Sequence, residues 1–234
     1  MNKNTSVWLI IPQTNLHVGN ESVVNFSVID KAVQRDVVTG IPCINSSSLK
    51  GALKEYLSQD DMKVKVDIKK LFGSDKVNKD DTQKGEAVFF DANLLFIPER
   101  CIEGKDVFRY AYCNELVNDF VERAKGLGVT CSADDIKKAG GINDTNSKDK
   151  GTENFKELCN DDNLPIIARN CLDNGESVNL WYEQVVPSKS VFATLILTRD
   201  DTDLAILDEA LNNNIVQIGA NATIGYGYCK MMKL

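Results

Sequence analysis

The period of the apolar positions changes several times along the chain, and each change marks an element. Ser6 to Pro12 (SVWLIIP) is apolar at successive positions and rich in β-branched side chains, which predicts a strand buried on both faces. Gln13 to Gly19 turns polar and leaves the sheet, and Asn20 to Asp36 reads as a loop with at most a short strand. A strand through Pro42 and Ile44 comes next. From Ser48 to Gln59, Leu49, Leu53, Tyr56 and Leu57 recur at helical spacing, with Lys50 and Lys54 on another face. Asp67 to Gly73 opens a second small unit. Glu86 to Phe90 alternates and predicts a strand ending at Asp91, and Phe108 to Cys113 predicts another. Asn114 to Lys125 is a helix with Asn114 as its N-cap and Leu116, Phe120 and Val121 inward.

The second half is punctuated differently. Gly126 to Asp162 has no sustained period and is rich in Gly, Asn, Asp, Lys and Ser, so it reads as an exposed, mobile insertion. Leu164 to Cys171 and Ser177 to Val186 flank an Asn-Gly pair in Asp173 to Gly175, the strongest short-range signal for a β-hairpin. Ser190 to Thr198 is a core strand and Asp203 to Asn213 a helix. The order strand, helix, strand, strand, helix, strand predicts an α+β domain with an antiparallel sheet and helices on one face. It is compatible with a ferredoxin-like βαββαβ unit, the fold also used by the RRM.

Composition narrows the function classes. The chain has 234 residues, enough for one large domain or a domain with insertions. No apolar run is long enough to span a bilayer, and the N-terminal apolar stretch is broken by Pro12 without a small-residue cleavage site. An intracellular, cytoplasmic protein is expected. Seven cysteines lie far apart with no CxxC spacing, which argues for reduced thiols over disulfides or zinc. His17 is the single histidine, so a mechanism needing two is excluded within this chain. The net charge of −7 is unusual for a nucleic-acid binder. The acidic residues gather in apparent loops, however, so a modest basic groove on an acidic body is expected.

Two stretches suit phosphate. Ser46, Ser47 and Ser48 sit where a helix begins, and their hydroxyls are expected to satisfy unpaired amides there. Lys50 follows in the expected first turn, against the helix dipole, which is better explained by an anion it serves. Near the C-terminus, VQIGANATIGYGYCKM carries Gly219, Gly225 and Gly227, and successive amides in such a loop can form an anion-binding concavity. No dinucleotide, P-loop or triad signature is present.

The segment VIDKAVQRDVVTGIPCINSSSLKGALKEYL resembles the N-terminal signature of the RAMP superfamily of CRISPR proteins. Within it, the resemblance is to the backbone ribonuclease subunits of type III-B effector complexes, the family of the fourth Cmr subunit. Asp30, Gln34, Arg35, Thr39, Gly40, Pro42, Ser47, Ser48, Leu49, Lys50 and Gly51 fall on the family pattern. Ala32 stands where the family usually has proline, and Asn45 replaces a glycine. QTNLHVG, LFG, GEAVFFDA, ARNCLDNGESVNLWYEQVVP and the glycine-rich stretch resemble later family segments, with Ala220 in place of a glycine and Tyr226 in place of a frequent arginine. The tyrosine can substitute stacking for charge.

The resemblance implies a palm with a modified ferredoxin-like core (residues 1–125 and 187–234), an insertion at about 126–162 and a projecting thumb hairpin at about 163–186. It implies a subunit that binds guide (CRISPR) RNA, assembles with further copies of itself and other type III-B subunits, and cuts complementary target RNA at regular intervals. Asp30 matches the family's catalytic aspartate. The implied reaction is attack of a ribose 2′-OH on the adjacent phosphate with a divalent metal such as Mg²⁺. With no cage of carboxylates in view, the metal would be held by Asp30, RNA phosphates and water. An ordinary aspartate is a poor base at neutral pH, which favours metal binding or positioning for Asp30. Arg35, Ser46, Ser47, Ser48, Lys50, Gly219, Ala220, Gly225, Tyr226 and Gly227 are the implied RNA contacts. His17 is either an RNA contact, more exposed than a core histidine, or a structural histidine bonding its loop. Asp91 is read as a cap or turn residue and not as a second catalytic carboxylate. Two alternatives stay open: a guide-RNA scaffold without cleavage, and a guide-processing endoribonuclease of the same superfamily.

Overall fold

The structure is a computed structural model that describes residues 4–19, 29–74 and 83–234. Part of the loop expected over 20–36 and the charged stretch 75–82 lie outside the described residues. In chain order the elements are β1 (Asn4–Pro12), β2 (Cys43–Ile44), α1 (Ser46–Leu57), α2 (Ile68–Phe72), β3 (Val88–Phe89) and β4 (Ala92–Arg100). Then follow β5 (Phe108–Tyr112), α3 (Asn114–Gly126), α4 (Ala133–Ala139), β6 (Ser147–Asp149) and α5 (Gly151–Leu158). The chain closes with β7 (Ile166–Asp173), β8 (Glu176–Gln184), β9 (Val191–Thr198), α6 (Asp201–Leu211), β10 (Ile215–Gln217) and β11 (Tyr228–Lys233).

The main sheet runs β10-β11-β1-β9-β4-β5-β6, with β2 beside β4 and β3 beside β9. Its centre, β11-β1-β9-β4, is antiparallel throughout. With α1 between β1 and β4 and α6 between β9 and β11, those strands stand in the order fourth, first, third, second. That is the ferredoxin-like βαββαβ arrangement, so the expected fold is the observed one. The sheet's nine-residue strand β4 had no separate signal in the sequence, because its apolar run continues directly from Asp91.

Both faces of the sheet are covered, whereas helices on one face were expected. Side chains alternate along a strand, so β1 serves two cores at once. Trp8 and Ile10 pack with Leu49, Leu53 and Leu57 of α1 and Leu207, Ala210 and Leu211 of α6. Val7 and Leu9 pack with Val117, Phe120 and Ala124 of α3 on the other side. Each fully buried side chain of this size contributes roughly 1.5–3 kcal/mol. The inward face of α3 is therefore one position off the expected set, with Leu116 and Val121 only partly buried. Cys113, not Asn114, is its N-cap, and Asn114 begins the helix with its side chain bonded to Asp149.

The stretch 126–162 is not an open loop. Ser132 and Asp135 form a capping box at α4, β6 pairs in parallel with β5, and α5 buries Phe155 completely. These helices are only seven and eight residues long, each with a single buried apolar anchor, Ile136 in α4 and Phe155 in α5. So few anchors cannot display a period. All seven cysteines are free. Burial pushes the Cys43 and Cys159 thiols up to about 12 and raises Cys229 further, so they act as small apolar side chains.

Candidate nucleic-acid interface

β7 and β8 pair with each other and form a separate two-stranded sheet, the expected hairpin. Asn174 (φ 50°) and Gly175 (φ 88°) take the left-handed backbone that its tight turn demands. Leu172, Val178 and Leu180 are exposed on it. Only its root is wired into the body. The Gln184 amide donates to Lys31 O (2.9 Å), the Val185 amide to Pro165 O (2.9 Å), and Val186 bridges to Leu16.

Asp30 sits at that root and is exposed. Its amide donates to Tyr182 O (3.0 Å), and its Oδ2 accepts from the Tyr182 amide (2.7 Å). Backbone and side chain of Asp30 thus clasp one peptide strand of the thumb. Lys31 follows, with its ammonium 5.2 Å from the Trp181 ring centroid. Such a contact is a cation–π pair between the Asp30 loop and β8.

His17 lies on the inner side of this root and is only 3% exposed, which overturns the expectation of an exposed histidine. Its Nδ1 is 2.7 Å from Gln184 O and its Nε2 is 3.5 Å from Glu183 Oε1. With its ring held on both sides, His17 is a structural histidine here and presents no surface to an RNA strand. The Gln13 to Gly19 segment that carries it folds back between the thumb root and the glycine-rich turn, which is why a polar sequence became buried.

The glycine-rich turn packs against His17. Gly219 (φ 87°) brings the Ala220 amide to His17 O at 2.9 Å. Asn221 also takes a left-handed backbone (φ 68°), so Ala220 itself needs none, and its departure from the family glycine is accommodated. The amides of Ala220, Ile224, Gly225, Tyr226 and Gly227 all donate within the chain. The concavity of free amides expected here is therefore largely filled from within. Tyr226 stacks beneath Arg169, with the guanidinium carbon 4.6 Å from the ring centroid.

The start of α1 is satisfied in part by the protein itself. The helix begins at Ser46, two residues earlier than expected, with Asn45 at the cap position making no side-chain bond to the helix amides. The serine hydroxyls do not cap it. Instead the Ser46 amide donates to Asp91 Oδ1 (2.5 Å) and the Asn45 amide to Gln34 Oε1 (2.8 Å). Gln34 Nε2 donates to Ser48 Oγ (3.0 Å), and Ser47 is exposed. Asp91 thus has the structural role read for it. Lys50 becomes the fifth helical residue, past the first turn. Arg35 donates to Gly40 O (2.8 Å), Cys159 O (2.7 Å) and Asp161 Oδ1 (2.7 Å), fastening its loop to the end of α5.

Hydrogen bonds nevertheless connect the two glycine- and serine-bearing segments. The Gln34 amide donates to Val18 O (2.9 Å), one residue from the His17 carbonyl that holds Ala220. Asp30, the thumb root, the glycine-rich turn and the start of α1 therefore form one continuous network. Among the described residues no group of three or more His, Cys, Asp or Glu side chains could hold a metal ion. A divalent ion here would have to draw most of its ligands from elsewhere. No helix among the described residues is long and apolar enough to cross a membrane.

A sequence profile of the RAMP superfamily matches residues 10–230. The chain belongs to the RAMP superfamily. Among its relatives is the CRISPR system Cmr endoribonuclease Cmr4 of Pyrococcus furiosus, 28% identical over 277 aligned positions that cover 93% of this chain and 92% of that protein. The CRISPR system CMR subunit Cmr4 of Saccharolobus solfataricus is 40% identical over 89 residues, 38% of this chain and 27% of that one. The fold is similar to a chain in the cryo-EM structure of a type III-B Cmr-beta complex bound to cognate target RNA. There the TM-score is 0.73 at 22% identity, covering 98% of this chain and 97% of that one. It is also similar to oligomeric Cmr4 from Pyrococcus furiosus, at a TM-score of 0.71 and 23% identity, covering 98% of each chain.

For a RAMP superfamily chain, sequence reasoning missed the inner lining of the thumb root: Arg169, Glu183, Asn221, and the pair Lys31 and Trp181. Glu183 is 1% exposed and accepts from Arg169 Nε (3.2 Å) and Asn221 Nδ2 (2.7 Å). A signal was present, since Trp181 and Glu183 alternate on one strand face. Arg169 faces Trp181 only because the ladder shifts by one residue between Cys171 and Leu172, which no pattern announces.

Proposed function

We propose that this chain is a guide-RNA-binding backbone subunit of a type III-B CRISPR effector complex and cuts target RNA paired to the guide, with Asp30 as the catalytic residue. The observation that carries this reading is the match to an endoribonuclease of that system along 93% of the chain. Asp30 at the foot of a free-standing hairpin adds to it. Base pairing to the guide would select the target, and the protein would read backbone and shape. Copies meeting head to tail through unlike surfaces would extend as a helix along the guide.

The substrate supplies its own nucleophile. The ribose 2′-OH gives its proton to water as its oxygen attacks the adjacent phosphorus, the bond to the 5′-oxygen breaks, and that oxygen takes up a proton from water. The products are a 2′,3′-cyclic phosphate and a 5′-OH. Catalysis then rests on holding the 2′-oxygen in line with the leaving oxygen. The Tyr182 amide fixes one oxygen of Asp30, so the carboxylate points in a set direction from the thumb root. Asp30 is the one side chain assigned here to a divalent metal, whose remaining ligands would be RNA phosphates and water, the usual mode for Mg²⁺ at phosphate centres. Such an ion would neutralise charge building up on the phosphate.

The test is target cleavage by the reconstituted complex, wild type against Asp30→Ala, with and without Mg²⁺, while target binding is followed in parallel. Regularly spaced cuts that vanish in the variant with binding intact are expected. Cuts that persist in Asp30→Ala would remove Asp30 from the mechanism. Tight binding with no cuts in either protein would instead favour a scaffold subunit.

A further inference from the structure

The Tyr182 peptide that holds Asp30 is itself held by a buried charge. Tyr182 is partly exposed, and the next residue, Glu183, points the opposite way into the protein, as strand alternation requires. A carboxylate taken out of water at 1% exposure is strongly unfavourable unless it is matched. Two side chains match it, Arg169 from β7 (3.2 Å) and Asn221 from the glycine-rich turn (2.7 Å), and His17 Nε2 from the segment after β1 lies 3.5 Å away. His17 Nδ1 faces the Gln184 carbonyl, which only accepts, so that nitrogen carries a proton. The Tyr182–Glu183 stretch of β8 is therefore held from two sides, by the partners of the Glu183 side chain on the inside and by Asp30 on the outside.

We propose that Glu183, anchored by Asn221, is a positioning residue for Asp30. The proposal rests on the catalytic assignment of Asp30 made above. Glu183 does not touch RNA, because its side chain is enclosed by the thumb root. It acts by fixing the Tyr182–Glu183 peptide, whose carbonyl accepts from the Asp30 amide (3.0 Å), and with it the backbone on which the Asp30 carboxylate is held. Asn221 joins this to the glycine-rich turn. Its left-handed backbone aims Nδ2 at Glu183, while its carbonyl accepts from the Ile224 and Tyr226 amides. A turn whose Tyr226 packs against Arg169 is thereby mechanically joined to the carboxylate at the cleavage centre.

The experiment uses the reconstituted, guide-loaded complex and measures the single-turnover cleavage rate and the target Kd separately. Glu183→Gln keeps the shape and still accepts from Asn221, but removes the charge facing Arg169 and His17. Asn221→Gly keeps the left-handed turn and removes only the side-chain amide. Each is expected to slow cleavage on the order of 10–100-fold while leaving Kd within about twofold, the signature of lost positioning. Should Glu183→Gln fail to assemble, Asn221→Gly carries the test alone. Normal cleavage rates in the assembled variants, or a loss of binding as large as the loss of rate, would overturn the proposal. Loss of cleavage in Asp30→Ala alongside normal rates in these two variants overturns this inference only. Normal cleavage in Asp30→Ala overturns the catalytic assignment as well.

Discussion

Gly225→Ala and Gly227→Ala differ by one contact, and their comparison tests how the glycine-rich turn is built. Both glycines have a left-handed φ, 84° and 75°. An L side chain in that conformation costs about 1–2 kcal/mol. A Cβ on Gly225 meets nothing within 4 Å, whereas one on Gly227 falls 2.0 Å from Ile218 O. Carbon and oxygen rarely approach closer than about 3.3 Å, so the backbone around Gly227 has to open by more than 1 Å. Opening breaks the bonds from the Ile218 amide to Gly227 O (2.8 Å) and from the Gly227 amide to Asn15 O (2.9 Å). Each is worth about 1 kcal/mol. The expected losses are about 1–2 kcal/mol for Gly225→Ala and about 3–4 kcal/mol for Gly227→Ala. For a chain of this size 1 kcal/mol moves Tm by about 2–4 °C, so the two variants should melt about 4–8 °C apart. Calorimetry of the isolated chain reads this directly. Equal melting temperatures would refute the close approach of the turn to Ile218.

Three further outcomes follow from the packing. Partial burial disfavours the charge on Asp36, but hydrogen bonds from the Thr39 amide and hydroxyl and the Val38 amide outweigh it and hold the carboxyl below the usual aspartate range. The stability this turn contributes is therefore present above about pH 4 and lost as pH falls through the lowered value. Asp36→Asn should remove that share of the acid sensitivity, as read by Tm between about pH 3 and pH 5. Phe155→Ala should cost about 3–5 kcal/mol in urea unfolding, since the ring is fully buried, where a loose insertion would show almost no change. Asp91→Ala should cost about 1 kcal/mol by removing the acceptor at the start of α1. A thermal melt unchanged from wild type would show that the Asp91–Ser46 bond contributes nothing.

The ferredoxin-like core was legible because its strands and helices bury many side chains at a regular period. Ser6 to Pro12 reads as buried on both faces and is so, with Trp8 and Val7 in opposite cores. The hairpin was legible from Asn174 and Gly175 alone. What stayed hidden depends on contacts between distant segments. His17 looks like a turn histidine until the thumb root closes over it. Serines at a helix start look like caps until Asp91 and Gln34 arrive from elsewhere. Arg169 pairs with Trp181 only because Cys171 opposes Asn179 while Leu172 opposes Ser177, leaving Val178 as an extra residue. That single bulge exchanges the faces of the inner strand, so a hairpin drawn from the turn outwards would have sent Arg169 to the wrong side.

The main sheet ends on two three-residue strands, β10 and β6. Beyond β10, β11 is occupied by the loop before it, through the backbones of Asn213 and Asn214 and the Asn212 side chain. A long bare edge is an open invitation for another chain to add a strand. Here a neighbouring copy finds little ladder to extend. A contact made at these ends of the main sheet would therefore rest on side chains, and could be tuned, weakened or ended without disturbing the sheet within.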